Sequence, residues 1–333
     1  VRCSASNDVR ASAEAHRALA LQTLAHASTL NTNYLSGTLA MTTSSSRRRA
    51  AFRERVNARS ALLLPGAFNA MSAQVAADLG FEAIYITGAG VTNMSLGLPD
   101  LGFMGLAEIA EHTSRIRDAV DLPLIVDADT GFGNALNVRH TVRTLERAGA
   151  DAIQLEDQVM PKKCGHFAGK AVISTNEMVG KIRAAADARE DDNFLIIART
   201  DACAVEGFDA AIERARAFVE AGADILFVEA IETPEQIASL PKLLDAPQLI
   251  NIVIGGKTPV TDRADLERLG FSLVLYANAA LQSAVRGMQT ALGALKSQGR
   301  LDENPAVVAP FAERQRLVNK PLFDALDRKY AAD

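Results

Sequence analysis

The run Lys162-Lys163-Cys164-Gly165-His166 sets a thiol among two ammonium groups and an imidazole. Cationic neighbours lower a thiol pKa and make the sulfur a usable proton donor or nucleophile. Gly165 lets the backbone approach a ligand closely. Core packing asks for no such combination. A solvated basic loop with an incidental cysteine is the plain alternative. The run follows Glu156-Asp157-Gln158, which ends a strand-like segment. Other strand-like segments end in Asp127-Ala128-Asp129-Thr130-Gly131, in Arg199-Thr200-Asp201 and in Glu229. Asn251 starts one that runs into Gly255-Gly256-Lys257-Thr258-Pro259.

Asp127 and Asp129 are two residues apart, so a regular strand would turn both side chains to one side. With Glu156 on the neighbouring strand they would repel one another, and a hard divalent cation would relieve that. Oxygen-only ligands suit Mg2+, which keeps several waters and takes substrate oxygens; Mn2+ is the alternative occupant. No H-x-x-x-H or C-x-x-C pair suggests zinc. Arg199 could pair with Glu229, grip a substrate carboxylate through its planar fork, or do both. Such a set fits cleavage of a carbon–carbon bond next to a carboxylate. The cation would stabilise an enolate, with pyruvate enolate as the expected leaving group, and the thiol would move the proton. His112 and His140 fall on helical segments, and Cys203 reads as a small apolar residue.

These groups need a scaffold that brings strand ends to one rim. From about residue 60, short apolar runs alternate with amphipathic stretches. The predicted strands are Ala61–Leu64, Ala83–Thr87, Leu124–Asp127, Ala152–Glu156, Leu195–Arg199, Ile225–Glu229, Leu249–Ile254 and Leu273–Tyr276. Predicted helices between them include 137–148, 176–190 and 209–221. Strands that are apolar throughout are buried on both faces, the habit of parallel sheets. Eight β/α repeats match a (β/α)8 TIM barrel, whose active site lies at the carboxyl ends of the strands. A doubly wound open sheet is the rival, but no G-x-G-x-x-G follows the first strand. Residues 51–333 are expected to form a single barrel domain with an extra C-terminal helical tail. Residues 1–50, rich in Ser, Ala, Thr and Arg, read as a disordered extension, a targeting segment or a start placed upstream of Met41.

The bulk composition of the 333 residues excludes several classes. Apolar residues make up 48% and the net charge is −5, so nothing favours nucleic acid or a membrane surface. No apolar run is long enough to span a bilayer. Three cysteines, far apart and odd in number, are no disulfide framework and fit a reducing cytoplasm.

From about residue 50 onward the chain resembles the isocitrate lyase/phosphoenolpyruvate mutase superfamily. The resemblance rests on Thr87-Gly88-Ala89-Gly90, Leu96-Gly97-Leu98-Pro99-Asp100, Val126 to Gly131, Glu156 to Gln158, Lys162 to His166, Ala198 to Asp201 and Gly255 to Pro259. The cysteine loop points to its lyase branch. The resemblance implies a Mg2+-binding barrel, commonly a homotetramer that exchanges a late helix between subunits. It implies that Asp127 and Asp129 face the metal, with Asp100 and Glu156 behind them. Thr87, Gly88 and Ala89 would hold a pyruvyl group. Arg199, Glu229 and Asn251 would contact substrate. Cys164 would be the acid/base on a mobile loop with Gly165, and Lys163, His166 and Glu156 would be catalytic residues beside it.

Three positions depart from relatives. Gln282 stands where methylisocitrate-cleaving relatives carry arginine, Ile254 where many have glutamate, and Ala279 where oxaloacetate-hydrolysing relatives have serine. The expected substrate is therefore a di- or tricarboxylate of the 2,3-dimethylmalate or 2-methylisocitrate class, with the dicarboxylate favoured. A carboxyphosphonoenolpyruvate phosphonomutase and an oxaloacetate decarboxylase or hydrolase are the alternatives.

Overall fold

The computed structural model describes residues 44–163, 165, 169–256, 258, 259 and 261–331. Residues 1–43, Cys164, His166 and Lys257 lie outside the described residues. Arg48–Asp333 form one compact unit. Helix α1 (44–57) comes first. Eight strands follow: β1 (Leu62–Ala67), β2 (Ile84–Ile86), β3 (Leu124–Asp127), β4 (Ala152–Glu156), β5 (Leu195–Thr200), β6 (Ile225–Val228), β7 (Leu249–Asn251) and β8 (Leu273–Tyr276). All seven strand pairings are parallel, in the order β6-β5-β4-β3-β2-β1-β8-β7. A bridge between Leu226 and Gln248 joins β6 to the start of β7 and brings the sheet round on itself. This is the expected (β/α)8 barrel.

The helices between strands are α2 (Ala70–Asp78), α3 (Gly88–Leu96) and α4 (Leu106–Ala119), then α5 (Ala135–Arg147), α6 (Thr175–Ala186), α7 (Phe208–Glu220), α8 (Pro234–Leu243) and α9 (Arg263–Leu269). Their starts follow local chemistry. The side chains of Asn69, Asn134, Ser174 and Thr233 accept backbone N–H groups of the first turn. Alternate strand residues face the two sides of the sheet. Leu64, Tyr85, Ile125, Ile197, Phe227 and Leu275 fill the barrel, while Ile84, Val126, Ile153 and Ile196 meet the helices. Phe52 and Val56 of α1 belong to the inner cluster, so this helix seals the amino end of the barrel. Arg48 donates to fully buried Asp151, and Arg49 pairs with Glu146 at 2.8 Å, which anchors the same helix.

Five strands end elsewhere than expected, β2 and β5 by one residue each, at Ile86 and Thr200. β1 continues to Ala67 because the pairing changes partner at Pro65: residues 62–65 pair with β8, and Gly66 and Ala67 with β2. β7 stops at Asn251, before a turn in which Gly255 has φ +78°. β6 stops at Val228, leaving Glu229 just beyond it. After β8 come α10 (Ala279–Gln298), α11 (Phe311–Leu317) and α12 (Lys320–Tyr330), so the tail is a helix and a helix pair. Arg316 of α11 makes two bonds to Asp78 of α2. No helix among the described residues is long and apolar enough to cross a membrane.

Removing the Phe52 side chain should open a cavity at the barrel floor. Phe52→Ala is expected to lower unfolding stability by about 3–5 kcal/mol, read as a shifted denaturation midpoint. An unchanged midpoint would show that α1 does not seal the barrel.

Candidate active site

β3 ends at Asp127, and the chain turns at once. Asp129 has φ +47°, a conformation that costs a non-glycine residue on the order of 1–3 kcal/mol. Backbone bonds on both sides hold the turn: Ala128 N donates to Gln154 O at 3.0 Å, and Glu156 N donates to Asp129 O at 2.9 Å. The two carboxylates therefore converge through this turn and not, as expected, through strand alternation. Asp127 Oδ1 accepts from Asp129 N (3.2 Å) and Gln154 Nε2 (3.3 Å), and Oδ2 accepts from Gly88 N (3.4 Å). A Cβ on Gly88 would lie 3.2 Å from Asp127 Oδ2 and 3.5 Å from Asp129 Oδ1. Both acids thus face the first turn of α3, whose amino end favours anions. Thr87 caps that helix and lines the cleft together with Ala89.

One lysine of the basic loop enters this acidic cluster. Lys162 Nζ lies 2.5 Å from Asp100 Oδ1 and 2.7 Å from Asp129 Oδ1, and the residue is only 3% exposed. Burial works against its charge, yet Asp129, Asp127, Glu156 and Asp100 hold its pKa well above the ordinary lysine value. Burial raises Asp129 to about 7 against the pull of Lys162, and lifts Glu156 well above the carboxylate range against the pull of Arg199. Lys163 points elsewhere: its ammonium donates to Gly169 O at 2.8 Å, and the Gln158 side chain grips its backbone N–H and C=O. Sequence spacing cannot tell the two lysines apart, because the turn after Pro161 decides which one faces inward.

Arg199 is buried between Glu156 (3.3 Å), Asp201 (2.9 Å) and Glu229 (3.9 Å), with its guanidinium 5.2 Å from the centre of the Phe227 ring. Nε and Nη2 both donate to Asp201. One edge of its fork is thus already occupied, and Nη1 faces Glu156 Oε2 at 3.3 Å, so a ligand carboxylate would meet a guanidinium already paired on both sides. Burial opposes ionisation of Asp201, but Arg199 and Lys170 hold its pKa below the usual value. Lys170 ties Asp201 (2.6 Å) to the carbonyl of Gly165. Gly165 lies on Arg199 and Glu229, where a Cβ would come within 2.4 Å of Arg199 Nη2 and 2.7 Å of Glu229 Cγ. Only glycine allows the loop this approach. Asn251 Nδ2 reaches Glu229 Oε2 at 3.5 Å.

These residues surround a small cleft of about 40 Å3 at the carboxyl ends of the strands. Thr87, Ala89, Asp100, Asp127, Glu156, Lys163, Gly165, Arg199, Glu229 and Asn251 all border it, whereas Gly88 and Asp129 do not line it but lie next to Asp127. Cys164 and His166 lie outside the described residues. Sequence reading missed Tyr85, Gln154 and Asn278, and chose Lys163 as the catalytic lysine where Lys162 is the one that enters the acidic cluster. Tyr85 and Gln154 sit inside apolar runs, where one polar atom per side chain gives little signal. Glu156 Oε1, Asn251 Oδ1 and Asn278 Oδ1 are buried acceptors with no hydrogen-bond partner among the described residues, an arrangement that calls for a group carrying donors or positive charge.

Among the described residues, no three His, Cys, Asp or Glu side chains are grouped to hold an ion. Magnesium needs only one or two carboxylates and completes its shell with water and substrate oxygens. Asp127 and Asp129 converging beside a bare glycine meet that requirement. Gln282 Nε2 donates to Ile254 O at 3.4 Å, so two of the three residues that depart from relatives meet at one place.

Residues 52–296 match the family described as phosphoenolpyruvate phosphomutase. The 2,3-dimethylmalate lyase of Eubacterium barkeri is 42% identical over 282 residues, spanning 85% of this chain and 98% of that protein. The 2-methylisocitrate lyase of Aeropyrum pernix is 48% identical over 247 residues, 74% of this chain and 79% of that one. Among solved structures, a 2,3-dimethylmalate lyase superposes with a TM-score of 0.80 at 32% identity, covering 86% of this chain and 96% of that one. A phosphonopyruvate hydrolase complexed with oxalate and Mg2+ gives a TM-score of 0.77 at 30% identity, over 85% and 99%.

A methyl group at position 165 should lift the loop from Arg199. Overpacking of this kind costs about 1–3 kcal/mol, roughly a tenfold gain in the open population. Gly165→Ala should therefore be cleaved faster by trypsin after the loop lysines, with little change in melting temperature. Cleavage at the parental rate would show that the loop does not depend on this contact.

Proposed function

The chain belongs to the phosphoenolpyruvate mutase/isocitrate lyase superfamily, and we infer that it is a carbon–carbon lyase that splits an alkyl-substituted malate into pyruvate and a second carboxylic acid. The observation that carries this reading is the pair Asp127 and Asp129, turned toward the start of α3 across the cleft from the cysteine-bearing loop.

Asp127 and Asp129 would hold Mg2+, with Mn2+ as a substitute, and Asp100 and Glu156 would stand behind them. The bound ion would supply positive charge to the carboxylate and hydroxyl oxygens of the substrate. The first turn of α3, at Thr87, Gly88 and Ala89, binds the carboxylate that ends up in pyruvate. Arg199 takes the second carboxylate, which would displace the pairing of its Nη1 with Glu156, while Glu229 stays beside the guanidinium and Asn251 holds Glu229.

Electron counting corrects one expectation. The carbon bearing the hydroxyl becomes the ketone of pyruvate as its O–H proton leaves. The electron pair of the broken C–C bond goes to the carbon beside the second carboxylate, so the enolate forms on that acid and not on pyruvate. Glu156, whose buried Oε1 has no hydrogen-bond partner among the described residues, is placed to take the hydroxyl proton when ionised. Cys164 returns a proton to the carbon of the enolate. The loop seated over Arg199 through Gly165 keeps water from that carbon.

The substrate is best read as a dicarboxylate. Phe227, Val253, Leu275 and Ala277 give the cleft an apolar wall suited to alkyl groups. Gln282 and Ile254 supply no positive charge for a third carboxylate. An exposed row on α10, formed by Val285, Met288, Leu292 and Leu295, recurs at helical spacing and supports assembly of several copies.

With Mg2+, the protein should release pyruvate from 2,3-dimethylmalate faster than from 2-methylisocitrate, and chelation should abolish turnover. Cys164→Ser should lose at least about 10²-fold in rate while still binding oxalate with Mg2+. A near-parental rate in that variant would rule out the proton transfer assigned to Cys164.

A further inference from the structure

Inside the barrel, three neighbouring strands place Tyr85, Asp127 and Gln154 side by side. Asp127 and Gln154 are paired across the β3–β4 ladder, and Tyr85 opposes Ile125 two residues below Asp127. Gln154 is fully buried and Tyr85 is 2% exposed. Gln154 Nε2 donates to Asp127 Oδ1 at 3.3 Å, and Tyr85 Oη donates to Gln154 Oε1 at 2.5 Å.

The chemistry fixes the direction of both bonds. An ionised carboxylate only accepts, so the amide end facing Asp127 must be the NH2 group. The carbonyl end then faces Tyr85, which has to donate. Burial, together with the charge of Asp127, keeps the phenol protonated and able to do so. Among the described residues, Gln154 makes the only side-chain hydrogen bond to Asp127; the other donors are the backbone amides of Gly88 and Asp129. Asp129 and Asp100 are treated differently, since the Lys162 ammonium lies against both. A neutral amide orients a carboxylate without cancelling its charge, whereas an ammonium competes with an incoming cation.

We propose that Gln154 is a positioning residue that holds Asp127 in the rotamer needed for the divalent cation, and that the Tyr85 hydroxyl fixes Gln154 in turn. This inference rests on the reading of Asp127 as a metal carboxylate. Tyr85 also lines the cleft, so the relay links the substrate wall to the metal site.

The test is the dissociation constant of Mn2+, measured by electron paramagnetic resonance on the full chain without substrate. Gln154→Met keeps the side-chain length and removes the donor. It should weaken Mn2+ binding by about 10–100-fold, the usual cost of losing an outer partner of a metal ligand. Tyr85→Phe should weaken it by a smaller factor. The double variant should bind like Gln154→Met alone, because the tyrosine acts only through the amide. A parental constant in Gln154→Met overturns the proposal, and so does a double variant whose loss is the product of the two single losses. If Gln154→Met does not fold, a parental constant in Tyr85→Phe overturns the relay and a weakened one supports it. A parent chain that binds no Mn2+ overturns the metal reading itself.

Discussion

Among the described residues, carboxylates outnumber cations at the mouth of this barrel, and the surrounding structure is arranged around that imbalance. Asp100, Asp127, Asp129, Glu156, Asp201 and Glu229 stand close together, faced by Lys162, Lys170 and Arg199. Buried charge is tolerated only when it is paired or neutralised. Burial already drives Asp129 and Glu156 toward their protonated forms. A divalent cation met by a carboxylate-bearing substrate is the chemical complement of such a cluster. The same imbalance draws in the basic loop, so Lys162 and Lys170 bring Gly165 over the site as they pair with its acids.

A parallel barrel is well suited to building such a cluster. Every strand ends on the same rim, and inward residues of adjacent strands lie in register. Asp127 and Gln154 are ladder partners, as are Glu156 and Arg199. An acid and its partner thus arrive together through backbone pairing, without a long side chain having to search. The left-handed turn at Asp129 is the exception. Its strain persists because amides on either side are bonded to β4.

Much of this was legible in the sequence. Eight apolar runs, each ending in polar residues, specify a barrel and its active rim, since period and punctuation are local properties. Asp127, Glu156, Arg199, Glu229 and Asn251 were legible for the same reason. What escaped depends on distant parts of the chain. That Lys162 and not Lys163 faces the acids depends on Asp100, 62 residues away. That the Arg199 fork is partly spent depends on Asp201 being turned back toward it. Tyr85 and Gln154 are 69 residues apart and acquire meaning only once β2, β3 and β4 are adjacent. Cys164 stays an assignment by motif, supported by the placement of Gly165 next to it.

The most direct measurement is a crystal structure of the protein grown with Mn2+ and oxalate, with anomalous scattering used to locate the ion. The account predicts one anomalous peak in direct contact with Asp127 or Asp129 carboxylate oxygens, with oxalate lying between that ion and the first turn of α3. An ion bound elsewhere, or oxalate held with no ion beside Asp127 and Asp129, would contradict it.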